Sequence, residues 1–542
     1  MTWPFRRAAA SPAAASPASG PVDVCLLLEG TYPYVAGGVS SWVHDLVRAQ
    51  SDLSFHIVSL LPDDAPRERR YEPPANVVGI SHVYLQKLAP GAPLRDERRL
   101  VQAIERPLAD MLTSGGAGGG LVTLEALCRA LAPHRGRIGR RVLMDSRPAW
   151  EALVRLYETG MAGGSFLDFF WTWRSLYGGL FSVLLADVPP ARCYHAVSTG
   201  YAGILGARLR VETGRPLLLT EHGIYTNERR IEIAMADWLY QGASRGLAVE
   251  KPRRDLRDMW IESFVAYSRA TYLACDRIVT LYGGNQDMQL RDGAPADRLR
   301  VIPNGIDYER FSKVPRVPPE GRRPTVALIG RVVPIKDVKT FIRAVAILRD
   351  LVPDLQAEVL GPTDEDPDYF AECRRMADHL DLGRTLSFPG RVRLEEHMGR
   401  IDAIVLTSIS EAQPLVILEA GAAGVPTVAT DVGACREMLL GRPDEDPALG
   451  PGGAITPVAN PAATAAALHR LLADRGWRER CSAAIRERVR RSYDKTEIDR
   501  VYRDLYEGLR TAPDRPVPAA IPETIPAAAP SAVLVAAGAG DA

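Results

Sequence analysis

Short apolar runs alternate with longer amphipathic stretches along most of the chain, the pattern of strands and helices wound into an α/β fold. Val24 to Leu28 reads as a first strand, followed by Glu29-Gly30, a loop with Tyr32, Pro33, Tyr34 and the pair Gly37-Gly38, and a helix over Val39 to Ala49. Phe55 to Leu60 is a second strand. From about residue 62 to 191 no strand alternation is evident. Helical spacing at Glu97 to Leu112, Leu121 to Leu131 and Trp150 to Glu158 predicts a helical insertion there, with Gly115 to Gly120 as a flexible break. The most apolar segment, Phe166 to Leu185, holds Phe169, Phe170, Trp171, Trp173, Tyr177 and Phe181, but Asp168 and Arg174 interrupt it, so it reads as a buried helix rather than a bilayer span.

Strand signals return at Tyr194 to Ser198, Pro216 to Thr220 and Arg277 to Leu281, and Val301 to Asp307 closes a first half in a turn fixed by Pro303 and Asn304-Gly305. A proline-bearing linker is expected over 315–324. Beyond it Thr325 to Gly330, Gln356 to Gly361, Leu386 to Gly390, Ile401 to Leu406 and Thr427 to Thr430 alternate with helices, which predicts a second parallel sheet. The expected organisation is therefore a disordered tail (1–21), a Rossmann-like domain (22–314), the linker, a second Rossmann-like domain (325–491), a last amphipathic helix (492–510) and a disordered Pro/Ala tail (511–542). That last tail should be removable without loss of activity. Two doubly wound halves with facing carboxyl edges enclose a cleft.

Composition narrows the partners. Lys+Arg and Asp+Glu balance at 66 each over 542 residues, so no global charge points to nucleic acid or an anionic membrane. Seven cysteines, at Cys25, Cys128, Cys193, Cys275, Cys373, Cys435 and Cys481, form no close pair; they fit neither a disulfide framework nor a zinc site and suit a reducing cytoplasm. Arg6 and Arg7 precede an Ala/Ser/Pro run that lacks the apolar core of a signal peptide. A soluble cytoplasmic protein is expected.

The candidate chemistry gathers at predicted carboxyl ends of strands. After Ile401 to Leu406, Glu411 lies in the loop, Pro414 occupies the first position of the next helix, and Glu419 follows about a turn and a half in. Two carboxylates beside a helix N-terminus suit a ligand with an anionic group and sugar hydroxyls; a capping carboxylate and a solvated helix face are the alternative. Gly37-Gly38, between strand and helix, lets backbone approach a phosphate or simply makes a tight turn. His222 follows an apolar strand and is placed to reach a ligand, whereas His195 lies inside its strand and reads as core. Arg331 and Lys336 flank the loop after Thr325 to Gly330, one forked cation and one point charge suited to a diphosphate. The acidic runs Asp364-Glu365-Asp366 and Asp444-Glu445-Asp446 read as solvated loops, and no metal site is expected. Glu228, Arg229, Arg230 and Glu232 stay unassigned.

The segments GRVVPIK, VIPNGID and TEHG, and above all Ser408 to Glu411 followed by AQPLVILEA, resemble glycosyltransferase family 4, the large retaining family with the GT-B fold, whose hallmark is Glu, seven residues, Glu. Leu26 to Leu46 and Leu219 to Arg229 more narrowly resemble its branch that builds the bacterial Pel exopolysaccharide; the likeness runs from about Val22 to Leu509. The resemblance implies that Glu419 binds the ribose hydroxyls of a nucleotide, Glu411 lies near the transferred sugar, Arg331 and Lys336 hold the diphosphate, Gly37 and Gly38 approach the phosphates, and His222 sits by the sugar ring. It further implies a nucleoside diphosphate sugar, UDP-linked, as co-substrate with no separate cofactor or metal, retaining front-face transfer of a hexose or N-acetylhexosamine to a growing polysaccharide, and attachment to an inner-membrane synthase through partners. The last helix would cross back to the first domain. One departure stands out: the family has Gly-Phe-Gly after the first glutamate, and this chain has Ala412-Gln413-Pro414. The rival readings are a nucleotide-sugar 2-epimerase of the same fold and a nucleotide-sugar-binding scaffold without catalysis.

Overall fold

A computed structural model describes residues 20–30, 32–113, 120–160, 165–235, 256–318 and 320–515. Two parallel sheets form its frame. The first has seven strands in the order β3-β2-β1-β4-β5-β6-β7: β1 (Val22–Glu29), β2 (Phe55–Leu61), β3 (Val77–Tyr84), β4 (Ala191–Ala196), β5 (Leu217–Glu221), β6 (Arg277–Thr280) and β7 (Leu299–Val301). The second has six in the order β10-β9-β8-β11-β12-β13: β8 (Thr325–Ile329), β9 (Gln356–Leu360), β10 (Leu386–Gly390), β11 (Ala403–Leu406), β12 (Thr427–Thr430) and β13 (Gly453–Thr456).

Strand alternation sorts each sheet's side chains onto two faces. In β1, Cys25 and Leu27 join one core cluster while Val24, Leu26 and Leu28 join another, and in β8 Val326 and Leu328 face one cluster and Ala327 a different one. Both faces are covered by helices, which is why the central strands are apolar throughout. Three strands escape the sequence reading: β3, β7 and β13. Each lies at a sheet edge. An edge strand carries less burial and can be short or mixed: Val78 and His82 of β3 are exposed, β7 is LRV and β13 is GAIT. The stretch 62–191 is therefore not purely helical, since β3 extends the first sheet from within it.

The helices of that stretch run Glu97–Thr113, Gly120–Leu131, Arg147–Gly160 and Phe166–Leu185, so Gly120 begins a helix, and Gly115 to Gly119 lie outside the described residues. Ser165 caps the last of them by accepting from the Asp168 N–H at 3.3 Å, and Phe169, Trp173, Tyr177 and Phe181 are buried while Leu167 and Trp171 face outward. No helix among the described residues is long and apolar enough to cross a membrane. All seven cysteines are buried and unpaired.

The last helix returns to the first sheet. Pro461–Ala473 and Arg475–Ser492 are helices, and the final helix, Lys495–Arg510, packs Tyr502, Leu505, Tyr506 and Leu509 into the core cluster of Val24, Leu26 and Leu28 in the first sheet. His195 is part of this join: its ring nitrogens meet Tyr506 Oη at 2.7 Å and Thr220 Oγ1 at 2.9 Å, and burial pushes its pKa down to about 3, so it is neutral. Residues 511–515 correct the expected disordered tail. The Arg515 N–H donates to the Gly214 carbonyl at 3.1 Å, Arg210 donates to the Arg515 carbonyl, and Asp514 pairs with Arg215 at 3.1 Å. The rest of the expected tails, 1–19 and 516–542, lies outside the described residues.

Candidate active site

The carboxyl ends of β8, β11 and β12 supply one wall of the cleft. The loop after β11 is held by short polar ties: Thr407 Oγ1 donates to the carbonyls of Lys336 and Asp337 at 3.0 and 2.9 Å, and Thr430 Oγ1 to that of Ser408 at 2.7 Å. Gly433 is required where the loops after β11 and β12 meet, since it has φ +52° and an added Cβ would stand 2.1 Å from the Glu411 carbonyl oxygen. Helix Leu415–Ala422 follows, and Pro414 is its N-cap in extended conformation, one position earlier than its expected place inside the first turn.

Within this frame Lys336 Nζ lies 2.5 Å from Glu411 Oε1, which also accepts from Ser408 Oγ at 2.6 Å. The two side chains are only 22% and 12% exposed, so this pair is shielded much better than a surface ion pair. Lys336 reaches it from the single turn Pro334–Lys336, after which Asp337 takes φ 43° and caps helix Val338–Leu351. Arg331, 54% exposed, pairs instead with Glu365 at 2.8 Å. Glu365 is therefore not simply solvated, and neither is Glu445, which binds buried Arg488 at 2.6 Å; no group that could hold a metal ion occurs among the described residues. Glu419 is half-buried one turn into its helix. Burial raises its pKa, opposed by nearby Arg310.

The first sheet supplies the opposite wall. Gly37 and Gly38 begin helix Gly38–Ala49, and a Cβ on either would meet nothing within 4 Å. Gly37 has φ 173°, extended backbone open to any residue, so what the pair provides is unobstructed backbone. His222 follows β5 and packs edge-on against Trp42 with centroids 4.6 Å apart; both ring nitrogens are shielded without a partner, and burial lowers its pKa to about 4. Next to it, Glu221 is fully buried, accepts from Tyr272 Oη at 2.7 Å, Gln289 Nε2 at 2.9 Å and Thr199 Oγ1 at 3.1 Å, and has its pKa raised to about 7 by desolvation. A cavity of about 330 Å³ opens where β1 to β5 end, lined by Glu29, Tyr201, Tyr225, Arg229, Trp260 and Phe264 among others.

The structure thus joins Lys336 to Glu411 and His222 to Trp42, and leaves Arg331 with Glu365. The contacts that bind the halves include two beside this site. Gln413 reads the backbone of Asn304 twice, its Oε1 accepting from the N–H at 2.8 Å and its Nε2 donating to the carbonyl at 3.1 Å, and Glu437 Oε1 accepts from the Gly283 N–H at 2.8 Å. Sequence reasoning missed Ser408, Gln413, Glu437 and Trp42. For Gln413 the signal was present as the departure Ala412-Gln413-Pro414; its partner lies 109 residues earlier.

Comparison with known proteins agrees with this architecture. Residues 22–297, just over half of the chain, match the family model described as a domain of unknown function (DUF3492), and residues 310–488 match that of glycosyl transferases group 1. The chain belongs to the DUF3492 family and carries a group 1 glycosyltransferase domain. Among solved structures, this group 1 protein is similar to sucrose-phosphate synthase from Thermosynechococcus elongatus (TM-score 0.51, 19% identity, covering 90% of this chain and 98% of that one). It is also similar to Anabaena HepE in complex with UDP (TM-score 0.53, 13% identity, 90% and 100% covered). At those identities the likeness establishes the fold, which is GT-B. In sequence it is 29% identical over 261 residues to the D-inositol 3-phosphate glycosyltransferase of Paenarthrobacter aurescens (strain TC1), covering 45% of this chain and 58% of that one. The chain spans about half the length of the curated relatives it matches.

Proposed function

We propose that this protein is a retaining, metal-independent glycosyltransferase that moves a hexose or N-acetylhexosamine from a UDP-sugar to a growing exopolysaccharide, in the manner of PelF. The observation that carries the reading is the shielded Lys336–Glu411–Ser408 cluster at the carboxyl edge of β8 and β11, beside the N-terminus of helix Leu415–Ala422. A cation and a helix N-terminus at one strand edge favour a diphosphate, and Glu419 further along the helix is placed for ribose hydroxyls. With the donor seated, Lys336 exchanges Glu411 for the diphosphate, joined by Arg331 once it leaves Glu365.

The reaction breaks the bond from the anomeric carbon to the diphosphate oxygen, which keeps the electron pair, while the acceptor hydroxyl oxygen bonds to that carbon on the same face. Its proton passes to a departing phosphate oxygen. Charge grows on the leaving group, where Lys336, Arg331 and the helix N-terminus lower its energy; Glu411 faces the positive character developing on the sugar. The acceptor takes the aromatic-lined cavity of Tyr201, Tyr225, Trp260 and Phe264, whose rings cover apolar sugar faces while Glu29 and Arg229 meet hydroxyls. Placement is cytoplasmic, against the inner membrane through partner proteins of a synthase.

The test is calorimetric titration of wild type and Glu419→Ala with UDP, UDP-glucose, UDP-N-acetylhexosamines, GDP-mannose and ADP-glucose without added metal, followed by product analysis. Binding of a uridine series that is lost in the variant supports the reading. Equal binding by both proteins removes Glu419 from the donor site, and conversion of the donor sugar without acceptor identifies an epimerase instead.

A further inference from the structure

A second cavity, of about 600 Å³, lies at the opposite edge of the second sheet. Its lining includes Asp402 and Pro426, which directly precede β11 and β12, and Arg322, three residues before the start of β8, so it opens where these strands begin, while Lys336 and Glu411 lie beyond the ends of β8 and β11. It cannot be the donor cleft. Strands of this length separate the two edges by roughly 15 Å.

The lining carries five arginines, Arg316, Arg322, Arg475, Arg478 and Arg486, against the carboxylates Asp402, Glu479 and Glu487. Those carboxylates are already engaged. Asp402 holds Arg322 through both oxygens at 2.7 and 2.8 Å, Glu479 holds Arg475 at 2.8 Å, and Glu487 is turned to Arg490 and Arg491, outside the cavity. Among the described residues, the hydrogen-bond partners of Arg316, Arg478 and Arg486 are carbonyls: Arg316 donates to Met398 and Ile401 at 2.7 Å each, Arg478 to Leu471 and Leu472 at 3.4 and 3.3 Å, and Arg486 to Ala423 at 3.1 Å. Arg486 Nε is shielded and has no hydrogen-bond partner among the described residues.

Carbonyls at helix ends carry only partial charge and a guanidinium has more donors than these bonds use, so, with Asp402 shared between Arg322 and Arg316, the arginines of this lining outnumber the carboxylates that neutralise them. The cations also sense one another. Burial, with the guanidiniums of Arg322, Arg486 and Arg478, holds Arg316 below the usual guanidinium range against the opposing pull of Asp402. A purely structural set of helix ties would have no reason to converge on one open cavity at that electrostatic cost.

We propose that this cavity binds a phosphate-bearing anion, clamped by Arg316, Arg478 and Arg486. Such an anion would bridge the segment leading into β8, which provides Arg316, and helix Arg475–Ser492, which provides the other two. The first is the linker from the first half and the second leads directly into the returning helix Lys495–Arg510, so occupation would stiffen the crossing between the halves from a site remote from the cleft. The inference does not depend on which donor the cleft takes.

The test uses full-length wild type, R478Q/R486Q and K336A, with pyrophosphate followed by calorimetry; Arg478 and Arg486 make the longer carbonyl bonds, so this pair disturbs the fold least. The expected result is a pyrophosphate-binding component that K336A retains and R478Q/R486Q weakens at least about tenfold, with R478K/R486K, which keeps the charge, recovering part of it. Cosedimentation with phosphatidylglycerol but not phosphatidylcholine vesicles, lost in R478Q/R486Q, would assign the phosphate to a lipid headgroup; binding of pyrophosphate alone would assign a soluble phosphate. Unchanged binding in R478Q/R486Q, or loss of every component in K336A, overturns the proposal.

Discussion

Gln413 offers the sharpest test of how the two halves are held. Its amide is both donor and acceptor to the Asn304 backbone, and its side chain is only 7% exposed. Q413E keeps the shape but, once ionised, sets a carboxylate oxygen against the Asn304 carbonyl. One hydrogen bond is lost, about 0.5–1.5 kcal/mol, and two acceptors are left facing each other with little water, about 1–3 kcal/mol more. The cost at neutral pH is therefore roughly 2–4 kcal/mol. When protonated, the introduced carboxyl again donates through its O–H and accepts through its C=O. Its folded-state pKa is thus raised above the unfolded value near 4.3. The sign follows: the contact's contribution is full below about pH 4 and is lost as pH rises through the raised value. The measurement is the urea midpoint of wild type and Q413E from pH 4 to 8, with Q413A as control. The gap between wild type and Q413E should open with pH, whereas the gap for Q413A should stay constant. A Q413E deficit that is flat across this range would refute the clamp.

Replacing Lys336 by Met should lower kcat by about a hundred- to a thousandfold with a smaller change in donor KM, read by donor turnover, because its charge acts on a developing anion. His195→Phe strands Tyr506 and Thr220 hydroxyls and should cost roughly 2–4 kcal/mol. Because the buried ring's pKa is lowered to about 3, wild-type stability gains from pH about 3 to its unfolded value near 6.5, and thermal melts of the variant should lack that component. For Glu221, with its pKa raised to about 7, the sign is opposite: its protonated form favours folding below about 4.5, and that contribution fades as pH rises through about 7; Glu221→Gln should remove the decline in melting temperature over this interval. Truncation after Leu509 should lower the melting temperature by roughly 2–4 °C by removing the Arg515 and Asp514 contacts.

Central strands were legible because burial on both faces demands apolar runs such as Val24 to Leu28 and Ile401 to Leu406. The edges β3, β7 and β13 were not, because one open side relaxes that demand. At the site, the strand ends revealed where Lys336 and Glu411 belong, but their meeting depends on two loops 75 residues apart brought together by the order β8-β11. Arg331 shows the limit in reverse: its partner Glu365 sits in an acidic loop that, in sequence, looks like any solvated turn. Gln413 stood out only as part of the departure Ala412-Gln413-Pro414 from Gly-Phe-Gly, and the fold supplied Asn304 as the reason for an amide there.

The return of helix Lys495–Arg510 to the first sheet has a consequence for biosynthesis. The face of Val24, Leu26 and Leu28 that Tyr502 and Tyr506 cover is made early, yet its cover leaves the ribosome only after the entire second sheet has been synthesised. The second half, whose strands and helices are contiguous in the chain, is made while this face of the first half is covered on one part by Val43, Leu46 and Val47 of helix Gly38–Ala49 and awaits the rest of its cover. A chain ending before residue 495 therefore lacks the tyrosines and leucines that complete this side of the first sheet.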